Sequence, residues 1–267
     1  MSRPFSGSQT NSFGECDSRK GCNPGVRMTL DRTSSAPHLH PAAQWEQHVA
    51  GQDERFLLRD AHAKIVGLVL HRSPDGAVEV GIRRWSPGAA PFAVSADTLC
   101  HFTCGRAVFH SGQGETLEIA PGTVVHFKQG WSGHAEIAEL LDATFMMCAG
   151  GPAERTPLLR DAMTASPLKD WGAIPTILDG TSHTAGILLS REANGRAESG
   201  IWTCTSGVWR CEVIHDEFCH FLEGSCTYTH DGGERIEIQP DTLAFFPQGW
   251  AGRCEVHRTV RKIYMIR

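Results

Sequence analysis

Residues 97–105 read D-T-L-C-H-F-T-C-G, and 119 positions later residues 216–224 read D-E-F-C-H-F-L-E-G. The register holds outward in both directions, so that 67–146 runs against 186–265 without a gap. Gly81-Ile82 falls on Gly200-Ile201, Gly88 on Gly207, Glu118-Ile119 on Glu237-Ile238 and Pro121 on Pro240. Gln129-Gly130-Trp131 falls on Gln248-Gly249-Trp250, Gly133 on Gly252 and Met146 on Met265. Ungapped identities in Gly, Trp, His and Cys are hard to produce by chance, so the two halves share one fold.

Each half is a series of short runs rich in β-branched and aromatic residues, punctuated by Gly, Pro or Asp. In the second half they fall at 183–190, 200–205, 209–214, 218–222, 225–229, 234–238, 242–246, 252–257 and 262–266, which leaves no room for a helix. Asp231-Gly232-Gly233 is a hairpin signal, since the turn needs positive φ, and 111–114 occupies the equivalent turn. Many short antiparallel strands at close spacing predict an all-β barrel or jelly roll in each half, a closure that leaves few bare edges.

The expected organisation is a partly disordered N-terminal tail and arm over 1–56, a first barrel over 57–150, a linker over 151–180 and a second barrel over 181–267. Within the linker region four prolines weaken the β signal, and 154–163 reads as a short helix. Residues 1–27 are rich in Ser, Gly and Asn and lack the apolar stretch of a secretory signal, and Met28 is an alternative start.

A net charge of -5 and a pI near 6.3, with charges scattered along the chain, argue against a nucleic-acid partner. The longest apolar run, 65–70, is too short to span a bilayer, so no membrane is expected. Ten cysteines at irregular spacing, several inside apolar runs, read as reduced thiols in a cytoplasmic protein. Cys100 and Cys104 are too isolated to argue for zinc.

Residues 215–224, H-D-E-F-C-H-F-L-E-G, and 240–252, P-D-T-L-A-F-F-P-Q-G-W-A-G, resemble the two sequence blocks of cupins. They are most similar to the cupin 3 group, with its ureidoglycine-aminohydrolase-like and ethanolamine-utilisation-like members, and R-K-I-Y-M-I and G-I-W-T-C fit the same pattern. The resemblance covers the second half and reaches the first through the repeat. It implies a bicupin of two double-stranded β-helix barrels, a small-molecule ligand, and often a homodimer built by strand exchange or sheet packing.

A metal-binding cupin supplies two histidines and a glutamate from the first block and a histidine from the second. By that resemblance Glu217 is the one family-position match, and the divalent ion it implies is Mn, Fe, Ni or Zn. The place of the histidine pair reads Arg210-Cys211-Glu212-Val213, the second-block position lies near Gly252, and Gln248 sits too near the turn, so the ligand set is incomplete. In the first half Thr98 replaces Glu217. The histidines there, His101, His110, His126 and His134, cannot all face one interior, because strand alternation puts some of them outside. Ligand chemistry is therefore expected in the second half, with the first as a structural partner.

His101 and His220 are out of phase with Glu217 and read as hydrogen-bonded residues of the barrel exterior or an interface. Trp131 and Trp250 read as lids on the barrel mouths. Glu212, Glu217, Glu255, Lys262 and Tyr264 interrupt apolar strands, and any that point inward must be paired or used. Two readings stand for Glu217: a general base of raised pKa in a cavity, or the partner of Lys262 or Arg210 in a salt bridge. The expected ligand pocket comprises Trp202, Glu212, Cys219, Trp250, Lys262 and Tyr264 beside a catalytic Glu217. Function divides between a metal-dependent enzyme acting on a small polar ureido, amino or carboxylate metabolite, a metal-free binding or sensor protein, and a purely structural dimer. Fold alone does not arbitrate.

Overall fold

The computed structural model describes residues 36–39, 62–150, 156–192 and 197–267, so that Met28 and all of the expected tail and arm except 36–39 lie outside them. Strand β1 (His38–Leu39) precedes the first barrel. That barrel is built from β2 (Ile65–Arg72), β3 (Val78–Trp85), β4 (Gly88–Ala93), β5 (Asp97–Cys104), β6 (Ala107–Ser111), β7 (Thr116–Ile119), β8 (Val124–Phe127), β9 (Ser132–Ile137) and β10 (Leu141–Cys148). The connecting stretch carries β11 (Leu158–Leu159), β12 (Lys169–Ala173) and β13 (Ile177–Gly180). The second barrel follows as β14 (His183–Arg191), β15 (Glu198–Cys204), β16 (Gly207–Glu212), β17 (Glu217–His230), β18 (Arg235–Ile238), β19 (Leu243–Phe246) and β20 (Ala251–Ile266). The described residues are all-β, with two tandem jelly-roll barrels.

The first barrel closes a six-stranded sheet, β11-β8-β5-β10-β3-β2, over a four-stranded one, β4-β9-β6-β7. In the second barrel β17 and β20 run unbroken through both faces and join everything into one ten-stranded network. Register shifts at Phe221/Glu223 and Ser225/Cys226 bend these strands around the corner. Gly224 sits at that corner with φ of 90°, and Gly105 at the equivalent corner with φ of 83°. A Cβ on either would overlap a backbone carbonyl oxygen, that of Thr259 or of Leu140, so glycine is required by both conformation and space.

The region expected as a short helix over 154–163 instead carries the two-residue strand β11 followed by a bend and a turn, and its first two residues lie outside the described part. Leu158 and Leu159 pair antiparallel with Val125 and Val124, and the carbonyl of Pro157 accepts the His126 amide at 2.9 Å. The free edge of β8 offered donors and acceptors that a helix would have left unpaired. The N-terminal arm does the same for the other barrel. His38 and Leu39 pair with Ala244 and Leu243 of β19, and the carbonyl of Pro37 accepts the Phe245 amide at 3.0 Å. Since Ala244 and Val125 are repeat equivalents, the segment ahead of each barrel completes the sheet of the other.

Three apolar clusters organise the molecule. Two fill the barrel interiors, and the third joins the barrels through Leu99, Met146 and Ile82 on one side and Phe218, Ile263 and Met265 on the other. Within this joint His101 Nδ1 and His220 Nδ1 lie 2.7 Å apart. These are repeat equivalents meeting each other, so a pseudo-twofold axis passes between the two rings. No described helix is long and apolar enough to cross a membrane.

Candidate functional site

Alternation along β17 and β20 sorts their side chains. Phe218, Leu222, Ile263 and Met265 face the other barrel, while Cys219, Phe221 and Tyr264 belong to the interior cluster of the second barrel. Glu217 and Lys262 share the interior phase, and each side chain is only 1% exposed. Lys262 Nζ donates to Glu217 Oε1 and lies 3.8 Å from Cys219 Sγ. The same ammonium lies 5.0 Å from the Trp202 ring centre and 5.4 Å from that of Tyr264, inside a partial aromatic cage. Of the two sequence readings for Glu217, the ion pair with Lys262 is the one formed.

Tyr264 Oη donates to Glu198 Oε1 at 2.9 Å. Burial, reinforced by the negative charge of Glu198, pushes the Tyr264 phenol well above its ordinary range. Trp250 meets Tyr228 and Phe246 edge-on, at 5.5 and 5.3 Å between ring centres. Among the described residues of this barrel, Glu217 Oε2, an acceptor, and Trp250 Nε1, a donor, are buried without a hydrogen-bond partner, as is Ser182 Oγ just ahead of β14. Such groups are rare in folded proteins because leaving one unsatisfied costs about 1–3 kcal/mol.

Cys204, Cys211, Cys226 and Cys254 also face inward, and Cys254 Sγ lies 3.8 Å from Cys226 Sγ. Burial raises the pKa of all four, so they are neutral thiols rather than thiolates. In the first barrel burial likewise pushes Cys100 up to about 12.

Glu212 is a correction to the expected pocket. It ends β16 pointing into solvent, 67% exposed, beside Arg210 at 3.4 Å, because the inward phase of that strand belongs to Trp209 and Cys211. Arg210 is directed outward too, holding Asp231, and does not reach Glu217. Trp202, Cys219, Trp250, Lys262 and Tyr264 do converge on one interior with Glu217.

The first barrel has no counterpart of this interior. The repeat register places Thr98 and Ala143 where Glu217 and Lys262 stand. Phe92, Phe102, Phe109 and Phe127 fill the space, with Trp131 edge-on to Phe92 and Phe127. The four histidines considered as a cluster separate as alternation requires: His101 lies in the joint between barrels, His126 is buried at that joint, and His110 and His134 stack on the outer surface.

Sequence reasoning missed a network around Asp97. Its Oδ1 accepts the Gln129 amide at 2.9 Å, as Asp216 Oδ1 accepts the Gln248 amide at 2.8 Å, so the repeated Asp and Gln anchor the same turn in each barrel. The matched identities were the available signal. In the first barrel Lys128 also holds Asp97, His126 Nε2 lies 3.3 Å from it, and His126 Nδ1 is 2.8 Å from Ser199 Oγ of the second barrel. Burial works to raise the Asp97 pKa, but hydrogen bonds from His126, Lys128 and the Gln129 amide bring it below the usual carboxylate range. The order Asp97, His126, Ser199 matches a nucleophilic triad, yet Ser199 is fully buried between the barrels, where its hydroxyl meets no solvent. The network ties the halves together.

The residues do not fit an interior cupin metal. Among the described residues the inward carboxylates of the second barrel are already held, Glu217 by the Lys262 ammonium and Glu198 by Arg191 and the Tyr264 hydroxyl, and no histidine groups with them. A divalent cation bound at Glu217 would have to displace Lys262 into an apolar surround.

Residues 191–264 match the EutQ-like cupin domain family. Among solved structures, a protein of unknown function from the DUF861 family of Pseudomonas syringae pv. tomato superposes with a TM-score of 0.62 at 14% identity, covering 74% of this chain and 85% of that one. The putative glyoxylate induced protein of Pseudomonas aeruginosa gives 0.60 at 10% identity, covering 96% and 95%. A cupin 2 conserved barrel domain protein from Leptotrichia buccalis gives 0.57 at 9% identity, covering 90% and 98%. No curated protein matches the sequence. At these identities the likeness is one of fold, and the fold is that of the cupins.

Proposed function

We propose that the second barrel is the working half and that its interior takes a small polar metabolite without a resident metal ion. The observation that carries this reading is the pair of unpartnered buried atoms, Glu217 Oε2 and Trp250 Nε1. One asks for a donor and the other for an acceptor, which a molecule bearing both N–H and carbonyl groups supplies, as ureido, amide and amino-acid compounds do. Lys262 and the rings of Trp202 and Tyr264 add a cationic, aromatic wall. A binding or sensor role needs no more than this. An enzymatic role would use Glu217 and Lys262 as a proton-transfer pair, with Oε2 the atom free to accept a substrate proton. The metal-dependent reading is the weaker one, because no described interior histidine joins Glu217.

Thermal-shift screening of ureido, amide and amino-acid compounds tests the proposal, with the protein first stripped by chelator. A compound that raises Tm in chelator-treated protein, and does so less in Glu217→Gln and Trp250→Phe, supports it. A stabilising effect that appears only when Mn, Fe, Ni or Zn is restored would overturn the metal-free reading. The homodimer implied by the cupin resemblance remains part of the proposal, and sedimentation of the full chain reports it.

A further inference from the structure

His110 on β6 and His134 on β9 are direct cross-strand partners on the outer face of the first barrel. Their rings stack at 4.8 Å between centres with 26° between planes. Glu136 lies two residues along β9, which returns its side chain to the same face, and its Oε1 is 3.8 Å from His134 Nε2. One donor atom from each of the three residues falls within 4.8 Å of the others. His110 Nδ1 is 3.3 Å from Thr116 Oγ1, which leaves its other ring nitrogen for an ion.

We propose that His110, His134 and Glu136 form a surface site for a first-row divalent cation of the Zn, Ni or Cu type. Two imidazoles and a carboxylate are the ligand set these ions favour over Mg or Ca, with Cu(II) the tightest. The strands fix the spacing, since paired cross-strand positions hold their Cβ atoms about 4.5–5.5 Å apart. The side chains of His134 and Glu136 are more than half exposed, so they close on an ion without repacking a core. Three protein ligands leave coordination positions open to water or an external ligand. Glu136 also lines a groove of about 900 Å³ that includes Arg106 and Arg160, which puts a bound ion at the groove's rim. The site lies on the opposite barrel from Glu217 and stands or falls independently of the proposed function.

The test is titration of the full chain with Zn(II) by calorimetry and with Cu(II) by EPR, beside the His110→Ala/His134→Ala double variant. The wild type is expected to bind one saturable equivalent, with two-nitrogen superhyperfine coupling in the Cu(II) spectrum. The double variant is expected to lose that equivalent and that coupling while keeping the wild-type Tm, and Glu136→Gln to bind more weakly. The chain has 14 histidines, and the variant separates binding at this site from binding at the others. Absence of saturable binding, or binding unchanged in the double variant, would overturn the proposal.

Discussion

At the level of single residues, the interior of the second barrel turns on one lysine and one glutamate. Removing either partner strands the other charge in a site where both are 1% exposed, which costs about 3–5 kcal/mol; replacing both with apolar residues of similar volume is often neutral or stabilising. Lys262→Met and Glu217→Leu are therefore each expected to lower the urea midpoint sharply, and the double variant to recover most of the loss. A double variant as unstable as the sum of the singles would show that the pair is not coupled. That Glu217 had to be paired or used was legible before any coordinates, because a charged residue inside an apolar strand is costly unless compensated, but the sequence left open whether it would pair with Lys262, pair with Arg210 or stand as a base in a cavity. Glu212 looked equivalent by the same rule but sits one phase out of step with Cys211, and sequence offered no clear sign of where β16 ends.

Among the strands, the largest departures from sequence expectation lie at the two short edges. Two-residue strands such as β1 and β11 carry no periodicity, so neither 36–39 nor 156–159 could be recognised as sheet; what decides them is an open edge contributed by distant sequence. The long strands were legible because alternation and punctuation fix their phase, and phase is enough to place Cys219 inside and His220 outside. Deleting residues 1–39 removes the acceptor of the Phe245 amide and the partner of β19. Hydrogen exchange is expected to rise in β19 of the second barrel and to stay unchanged in β8 of the first. Equal change in both would mean that the arm does not act through local pairing.

For the molecule as a whole, the joint between barrels is polar at its centre. His101 is 3% exposed and His220 is fully buried, with Thr144 Oγ1 at 3.1 Å from His220 Nδ1 and Asp241 Oδ1 at 3.1 Å from its Nε2. Burial, and then the adjacent His220, hold the His101 pKa well below the ordinary histidine range, and burial lowers that of His126. Burial disfavours the protonated form of both rings in the folded state. An unfolded chain binds protons at these positions below about pH 6.5, so the stability they confer is complete above that value and declines as pH falls toward the folded pKa. Urea midpoints at pH 8, 6.5 and 5 are expected to fall in that order, and the His101→Leu variant to show a flatter slope. A wild-type slope no steeper than that of the variant would exclude His101 as its source. The crossed arms carry a consequence for how the gene could be divided. A chain cut after residue 150 yields two pieces, each carrying the edge strand that belongs to its counterpart. Neither piece alone would be a finished barrel, and co-expression would restore both by complementation. Keeping them on one polypeptide replaces a concentration-dependent encounter with an intramolecular one.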